Sequence, residues 1–292
     1  MSTVSTPYRW PLEAIWEEVL PRLPGFSLEA VPEIDSTNTE LMRRARSGRS
    51  EPILLVAEHQ TAGRGRLGRQ WLGLDKGAMV KDGMPSLTFS LGLPLQCADW
   101  SGLSLAVGIS LVQRLKSLCK PEHASELGLK WPNDVWWQGR KLAGILIETA
   151  AIAGVYATDG ARYAVIGIGV NMQAPAVASL AMVSGQMSLV EPVGFCEVAA
   201  DAGAAQVLKQ VVLPLIQTVK KFEKQGFDAL VPEFGKLDLL ADKPVILSDG
   251  RSGIARGVDA SGALQVDIRG ERHSISSGEV SVRPLHNTVL TM

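Results

Sequence analysis

Between Gln60 and Trp71 the chain reads Gln-Thr-Ala-Gly-Arg-Gly-Arg-Leu-Gly-Arg-Gln-Trp, so Arg64, Arg66 and Arg69 are interleaved with Gly63, Gly65 and Gly68. Glycine has no Cβ and lets backbone amides approach a bound group closely. Arginine adds a permanent charge and a planar fork of donors that fits carboxylates and phosphates. Such a loop suits an anion, although taken alone it also suits a solvated basic turn. The spacing Gly63-x-Gly65-x-x-Gly68 satisfies the dinucleotide-binding pattern too, which needs a strand before it and a helix directly after it. Ile53–Ala57 can supply the strand, but Gln70-Trp-Leu-Gly-Leu-Asp-Lys-Gly has two more glycines and no helical period. Arginines also stand where that motif relies on bare backbone at a helix N-terminus. The dinucleotide reading fails on its context.

A second concentration of chemistry is Lys130-Trp-Pro-Asn-Asp134, followed by Arg140-Lys-Leu-Ala-Gly-Ile145. The turn residues Gln138-Gly139 predict a hairpin that sets Asn133 and Asp134 across from Arg140 and Lys141. That gathers cations, an amide and a carboxylate at one place. Read alone, the same residues also describe an Asn-Asp turn with surface lysines. Trp136 and Trp137 read as packing residues. Asn171, directly after the glycine-broken strand Ile166-Gly-Ile-Gly-Val170, either caps a turn or lines the site.

The elements that must position these groups are mixed. Pro11 to Leu20 reads as a short amphipathic helix with Ile15, Trp16 and Val19 on one face. Thr37-Asn-Thr-Glu40 is a capping-box pattern opening a helix to about Ser47 that stops at Gly48. Leu103 to Leu118 is a helix with a broad apolar face. Lys141 to Thr149 and Tyr163 to Val170 are strands. Glu197 to Gln225 is helical, with Pro214 expected to kink or split it. After Leu239, five short strand-like runs (Pro244–Leu247, Gly253–Val258, Ala263–Ile268, Glu271–Ile275, Glu279–Arg283) alternate with Gly-containing turns, among them Ser277-Gly278. They predict a small barrel that docks on the larger part.

Composition bounds the function classes. At 292 residues, 46% hydrophobic and with a net charge of −1, the chain can bury two cores and carries no global basic field for nucleic acid or membrane. Three scattered cysteines suggest neither a disulfide framework nor a metal site. No secretory pattern opens the chain, and the longest apolar segment, Leu103 to Leu118, carries Gln113, Arg114 and Lys116. A cytoplasmic protein is expected.

Ala57-Glu-His-Gln60, the Gly63–Trp71 loop, Lys130–Asp134, Arg140–Ile145 and Ile166–Asn171 stand in the order found in biotin protein ligases. Ile34-Asp-Ser-Thr-Asn38 precedes them, and Ser277–Arg283 resembles the end of that family's C-terminal domain. The resemblance spans Pro32 to Pro284. It implies an α+β fold: a catalytic domain over 1–240, with a mixed sheet and flanking helices like class II synthetases and biotin–lipoate ligases, and a small SH3-like β-barrel over 241–292. It implies a ligase that joins the carboxylate of biotin to the α-phosphate of ATP and passes biotin to a lysine of the biotin-acceptor domain of a carboxylase.

The site roles follow from the same resemblance. Ser36, Thr37, Asn38 and Gln60 would bind the ureido ring. Arg64 and Arg66 would hold the biotinyl-adenylate, with Arg69 on the nucleotide side. Lys141 would stabilise charge on the carboxylate and α-phosphate, supported by Lys130. Gly63, Gly65, Trp71, Gly144 and Asn171 belong to the matched motifs and would line the ligand site. Asn133 and Asp134 would help bind Mg²⁺, which favours oxygen ligands. Asp134 is also a candidate to orient or deprotonate the incoming amine. Glu279 and Arg283 would reach the nucleotide from the C-terminal domain.

Relatives often order the glycine-rich loop on ligand binding and can form homodimers, although no stretch here identifies an interface. The stretch before Ile34 is too short for the winged helix-turn-helix of DNA-binding relatives, so DNA binding is not expected. Leu72 to Pro85 looks long, and the Ala/Val-rich stretch after Asn171 has no aromatic residue for adenine through Val193. A lipoate- or octanoate-type ligase and a noncatalytic biotin-binding regulator are the rival readings. The complete arginine loop opposes the first, and the retained Lys141 and Asp134 oppose the second.

Overall fold

A computed structural model of the chain describes residues 8–71, 84–152, 160–175, 191–276 and 282–284. Strands β1 (Ser27–Val31), β2 (Ile53–Ala57), β3 (Ser86–Leu95), β4 (Leu127–Lys130), β5 (Asp134–Trp137), β6 (Arg140–Ala151) and β7 (Arg162–Asn171) form a seven-stranded sheet in the order β1-β2-β3-β7-β6-β5-β4. Only β1 and β2 pair in parallel; the other neighbours are antiparallel.

Alternation of side chains along each strand assigns the two faces. Leu87, Phe89, Leu91 and Leu93 of β3 and Ile166, Ile168 and Val170 of β7 enter the main core. There they meet α1 (Leu12–Val19), α3 (Leu103–Lys116) and the long helix Ala204–Gln225. On the opposite face, Leu41, Met42 and Ala45 of α2 (Thr37–Arg46) pack on Leu55, Tyr163 and Val165. Thr88 and Ser90 of β3 share that face with Gly167 and Gly169 of β7. Small and polar residues therefore floor the part of the sheet beside α2, leaving depth for a cleft.

The β5–β6 hairpin decides where the chemistry lies. The β5–β6 turn uses positive φ at Gln138 (49°) and Gly139 (75°). Asp134 pairs with Gly144 and Val135 with Ala143, but Trp136 pairs with Lys141, so β6 holds one extra residue, Leu142. The two-residue turn pairs Trp137 with Arg140 and Trp136 with Lys141, which puts Lys141 on the face of Asp134. The bulge lets Gly144, three residues further on, share that face; an uninterrupted register would set Ala143 opposite Asp134.

Three expectations are corrected. Trp16 is 42% exposed, and only Ile15 and Val19 of α1 are buried, because those two lie one turn apart while Trp16 is rotated off their stripe. The N-cap of α2 is Ser36, whose side chain accepts from the Thr39 N–H. Thr37 is drawn inside the helix by its bonds to Gln60, and Glu40 pairs with Arg43 and Arg44 rather than closing a capping box. Pro214 lies inside the uninterrupted helix Ala204–Gln225, where buried Val211, Val212, Leu215 and Ile216 hold it by packing. The break falls earlier, between the one-turn helix Phe195–Val198 and Gly203. Strands β1, β3 and β4 are ones that local pattern alone did not single out.

The C-terminal strands β8 (Pro244–Leu247), β9 (Ser252–Val258), β10 (Leu264–Ile268), β11 (Glu271–Ile275) and β12 (Val282–Pro284) form an antiparallel sheet in the order β11-β10-β9-β8-β12. This is the SH3-like unit; Ser277-Gly278 and Glu279 lie outside the described residues. The segment leading into it pairs with β4, and its Gly262 is bonded by Trp131 just beyond that strand. The Leu129 N–H donates to the Leu237 carbonyl at 2.7 Å, and the Leu239 N–H donates to the Leu129 carbonyl at 2.9 Å. The Trp131 indole N–H donates to the Gly262 carbonyl at 2.9 Å.

Candidate active site

At one end of the cleft the start of α2 meets β2, β3 and β6 in a buried polar network. The Thr37 N–H donates to Gln60 Oε1 at 2.8 Å, and the Thr37 hydroxyl lies 3.1 Å from the same oxygen. Gln60 therefore has its oxygen occupied and its amide nitrogen left as the donor. Ser90 Oγ lies 2.7 Å from both Thr37 Oγ1 and Asn38 Oδ1. Asn38 Nδ2 donates to Glu148 Oε2 at 3.0 Å and to the Leu146 carbonyl at 3.3 Å. Every side chain here is fixed by a partner, as buried polar groups require.

Missing side chains in the sheet make the cleft. A Cβ on Gly167 would come within 2.1 Å of Asn38 Oδ1, and one on Gly169 within 2.4 Å of the Trp71 indole. Gly144 faces the same indole; its Cβ would lie 3.1 Å away. Trp71 thus rests against the sheet, with its Nε1 finding no hydrogen-bond partner among the described residues.

The other end is cationic. Lys141 Nζ lies 2.7 Å from Asp134 Oδ1, and Lys130 Nζ 4.0 Å from Asp134 Oδ2. Burial pushes the Asp134 carboxyl up, but Lys141, Lys130 and Arg66 outweigh it and hold the group below its ordinary value of 3.8. Burial lowers Lys130 to about 8, opposed by Asp134 and assisted by Lys141, Arg69 and Arg283. Arg283 on β12 is thus close enough for its charge to act at the site. Trp136 backs Lys130, with Nζ 5.2 Å from the ring centre.

The arginine loop bridges the two ends. The Gly65 N–H donates to the Arg69 carbonyl at 2.7 Å and the Trp71 N–H to the Gly63 carbonyl at 2.9 Å. Between them Leu67 (φ 56°) and Gly68 (φ 71°) turn the chain through left-handed backbone. No helix follows in the described residues up to Trp71, only the short 3₁₀ turn Arg66–Gly68, in keeping with the failed dinucleotide pattern. The arginines do not form one clamp. Arg64 pairs with Glu148 at 3.1 Å, while Arg66 Nη1 donates to Asn133 Oδ1 at 3.2 Å.

The expected Mg²⁺ ligands do not fit a metal held by the protein. Asn133 is engaged at both amide atoms, by Arg66 and by the Ile145 carbonyl, and the carboxylate of Asp134 is ringed by cations. A metal would have to displace Lys141. Among the described residues no group of three or more His, Cys, Asp and Glu side chains could hold one.

Residues 30–171 match the Biotin/lipoate A/B protein ligase family, and residues 243–283 match the Biotin protein ligase C terminal domain. The chain is 34% identical over 270 residues to the Bifunctional ligase/repressor BirA of Escherichia coli (strain K12), covering 91% of this chain and 77% of that one. It is 32% identical to the Biotin--[acetyl-CoA-carboxylase] ligase of Mycobacterium tuberculosis (strain ATCC 25618 / H37Rv), over 87% and 88% of the two chains. This chain belongs to the biotin protein ligases. The fold agrees: a biotin protein ligase from Aquifex aeolicus, solved in complex with biotin and ATP, superposes with a TM-score of 0.67 at 25% identity, over 89% of this chain and 99% of that one.

Within this ligase the motif residues are distributed unevenly. Ser36, Thr37, Asn38 and Gln60 line one end of the cleft, and Lys130, Asn133, Asp134 and Lys141 the other. Arg64, Gly65, Arg66, Arg69 and Trp71 cover them, with Gly144 in the floor. Gly63 and Asn171 stand behind the cleft wall: Gly63 accepts the Trp71 N–H, and Asn171 Nδ2 donates to the Lys141 carbonyl at 3.3 Å, so it positions the Lys141 backbone. Thr88, Ser90 and Glu148 were missed. For Thr88 and Ser90 the signal was polar residues recurring every second position in an otherwise apolar strand, whereas Glu148 had no such pattern around it.

No helix among the described residues is long and apolar enough to cross a membrane. Of the stretch after Asn171 expected to face adenine, residues 176–190 fall outside the described residues, as do residues 72–83.

Proposed function

We propose that this ligase activates biotin with ATP and transfers it to a lysine of the biotin-acceptor domain of a carboxylase. A carboxylate oxygen of biotin attacks the α-phosphorus, and the bond to pyrophosphate breaks. The lysine amine then attacks the acyl carbon of biotinyl-AMP, AMP leaves, and the amine gives up a proton. The observation that supports this reading is the polarity of the cleft, which has a fixed hydrogen-bonding end and a cationic end. A cyclic urea offers a carbonyl flanked by N–H groups, which suits the Gln60 amide nitrogen and the Ser36, Thr37 and Asn38 oxygens. An acyl chain would give the Gln60 amide nitrogen no acceptor, at about 1–3 kcal/mol, which disfavours lipoate or octanoate.

At the other end, Lys141 and Lys130 stabilise the charge that builds as carboxylate and α-phosphate approach, the step that needs cations in place before reaction. Arg66, Arg69 and Arg283 serve the nucleotide side, together with Glu279. ATP is taken as its magnesium complex, and no step is assigned to a protein-bound metal. Asp134 acts as the counter-charge that keeps the two lysines together. A carboxylate held this low is poorly matched to accepting a proton near neutral pH, so we do not retain it as the base. Residues 1–240 form the catalytic unit and 241–292 the appended one.

Mixing the purified protein with Mg-ATP, labelled biotin and an acceptor domain should place label on the acceptor lysine. Binding of biotin without transfer would favour a noncatalytic regulator, and turnover of lipoate alone would overturn the substrate.

Two results are expected of the cleft. Gly169→Ala should weaken biotin binding roughly tenfold by calorimetry, because overpacking against the indole costs on the order of 1–3 kcal/mol. The melting temperature should barely move, since the displaced loop is at the surface. Unaltered affinity would mean that Trp71 does not cover the ligand.

The second result concerns pH. Lys130 titrates at about 8 in the free protein, and an anion beside it favours its charged form, so anionic ligands should bind with proton uptake. Affinity for biotinyl-AMP should be flat below pH 8 and fall by up to about tenfold per unit above it. Lys130→Met should remove the slope. A wild-type affinity independent of pH from 7 to 9.5 would remove Lys130 from the anion site.

A further inference from the structure

We propose that Glu148 is a positioning residue that ties the arginine loop to the ring-binding end of the cleft; the assignment of that end to biotin rests on the function proposed above. Glu148 follows Gly144 and Leu146 on the same face of β6, but unlike them it stands just beyond the cleft wall. Its carboxylate meets two groups from different parts of the chain. Oε2 accepts from Asn38 Nδ2 at 3.0 Å, on the buried start of α2, and Arg64 Nη1, on the loop that covers the cleft, lies 3.1 Å from both Oε1 and Oε2.

The two contacts do different things. Asn38 Oδ1 lies 2.7 Å from Ser90 Oγ, so with Nδ2 held by Glu148 and the Leu146 carbonyl the amide cannot flip. Its oxygen is fixed towards the cleft side. Arg64 is half-exposed, with 47% of its side-chain surface open, so the ion pair alone is a weak restraint. Its value is geometric: Arg64 ties its part of the loop to the same carboxylate that orients Asn38. An acid is needed because one acceptor group must serve two donors. Glutamine has a single amide oxygen, and its nitrogen would face a donor on one side or the other.

A second consequence is the direction of ligand entry. With Glu148 balanced by Arg64 at the ring end, and Lys130, Lys141 and Arg66 facing only Asp134 at the other, the unbalanced positive charge lies at the far end of the cleft. An anionic tail is steered towards the lysines.

The test combines calorimetry with amide exchange on wild type, Glu148→Gln, Arg64→Met and the double variant, each first checked by thermal melting. Glu148→Gln should raise the biotin Kd about three- to tenfold, with kcat for adenylation at saturating biotin within about twofold, since Lys141 and Asp134 lie at the far end. Exchange from Gly63 to Trp71 in the ligand-free protein should rise to the same extent in Glu148→Gln and Arg64→Met. In the double variant the two effects should not add. Additive effects, or a loop exchange unchanged by Glu148→Gln, would overturn the tie. Arg64 lies at the surface, so Arg64→Met keeps the exchange comparison decisive even if Glu148→Gln folds poorly. If the wild type binds no biotin, the proposed function fails while the exchange comparison still decides the role of Glu148.

Discussion

Replacing Lys141 by methionine should lower the rate of biotin-dependent pyrophosphate exchange by about 10²–10³-fold, the scale on which a preorganised charge at a developing anion acts. Methionine keeps an unbranched apolar stem of similar reach, so packing beside Trp71, whose ring centre lies 5.8 Å from Nζ, is largely retained. Asp134 keeps Lys130 and Arg66 as partners, so the fold should survive. Biotin binding measured without ATP should change little, because the ring-binding network runs through Gln60, Asn38 and Ser90 at the other end. Arginine should not rescue the rate. A Cβ placed on Gly144 would already lie 3.4 Å from Nζ, and a planar guanidinium needs more room than an ammonium. Exchange that continues at the wild-type rate in Lys141→Met would remove the residue from the chemistry.

How Lys141 and Gly144 come to share one face also marks the limit of what the chain discloses before folding. The hairpin through Gln138-Gly139 is legible, because turn residues and flanking strands are local signals, and it puts Lys141 on the face of Asp134. The bulge at Leu142 is not, and without it Ala143 rather than Gly144 would stand opposite Asp134. The motif residues were readable as contiguous runs. Ser90 was not: its importance comes from pairing across β7 and from contact with Asn38, 52 positions away. β3 itself, with Leu87, Phe89, Leu91 and Leu93 alternating against Thr88 and Ser90, had the right period and was passed over beside the louder glycine-arginine run. Pro214 shows the opposite error. Its local signal was strong, and the packing of Val211, Leu215 and Ile216 overrode it.

Asp134→Asn should damage both stability and adenylation, and the two losses have one cause. The carboxylate lies among Lys141, Lys130 and Arg66 in a buried site, and removing one member of a buried ion pair costs on the order of 3 kcal/mol. Asparagine keeps the shape and leaves three cations facing each other. Lys130 then loses the neighbour that opposes the effect of its burial, so its pKa should fall further and it should give less charge to the reaction at neutral pH. The sign of the pH dependence follows. A folded pKa below the ordinary 3.8 means that Asp134 contributes stability above that value and loses it as pH falls through the folded pKa. The difference in unfolding free energy between wild type and Asp134→Asn should therefore be full at pH 6 and shrink below pH 4, as followed by denaturant titration. Function separates the roles of the group. If Asp134 is a counter-charge, transfer from preformed biotinyl-AMP to the acceptor should fall far less than adenylate formation. A selective loss of transfer would make it a base after all, and its low pKa would then have to rise when the adenylate binds.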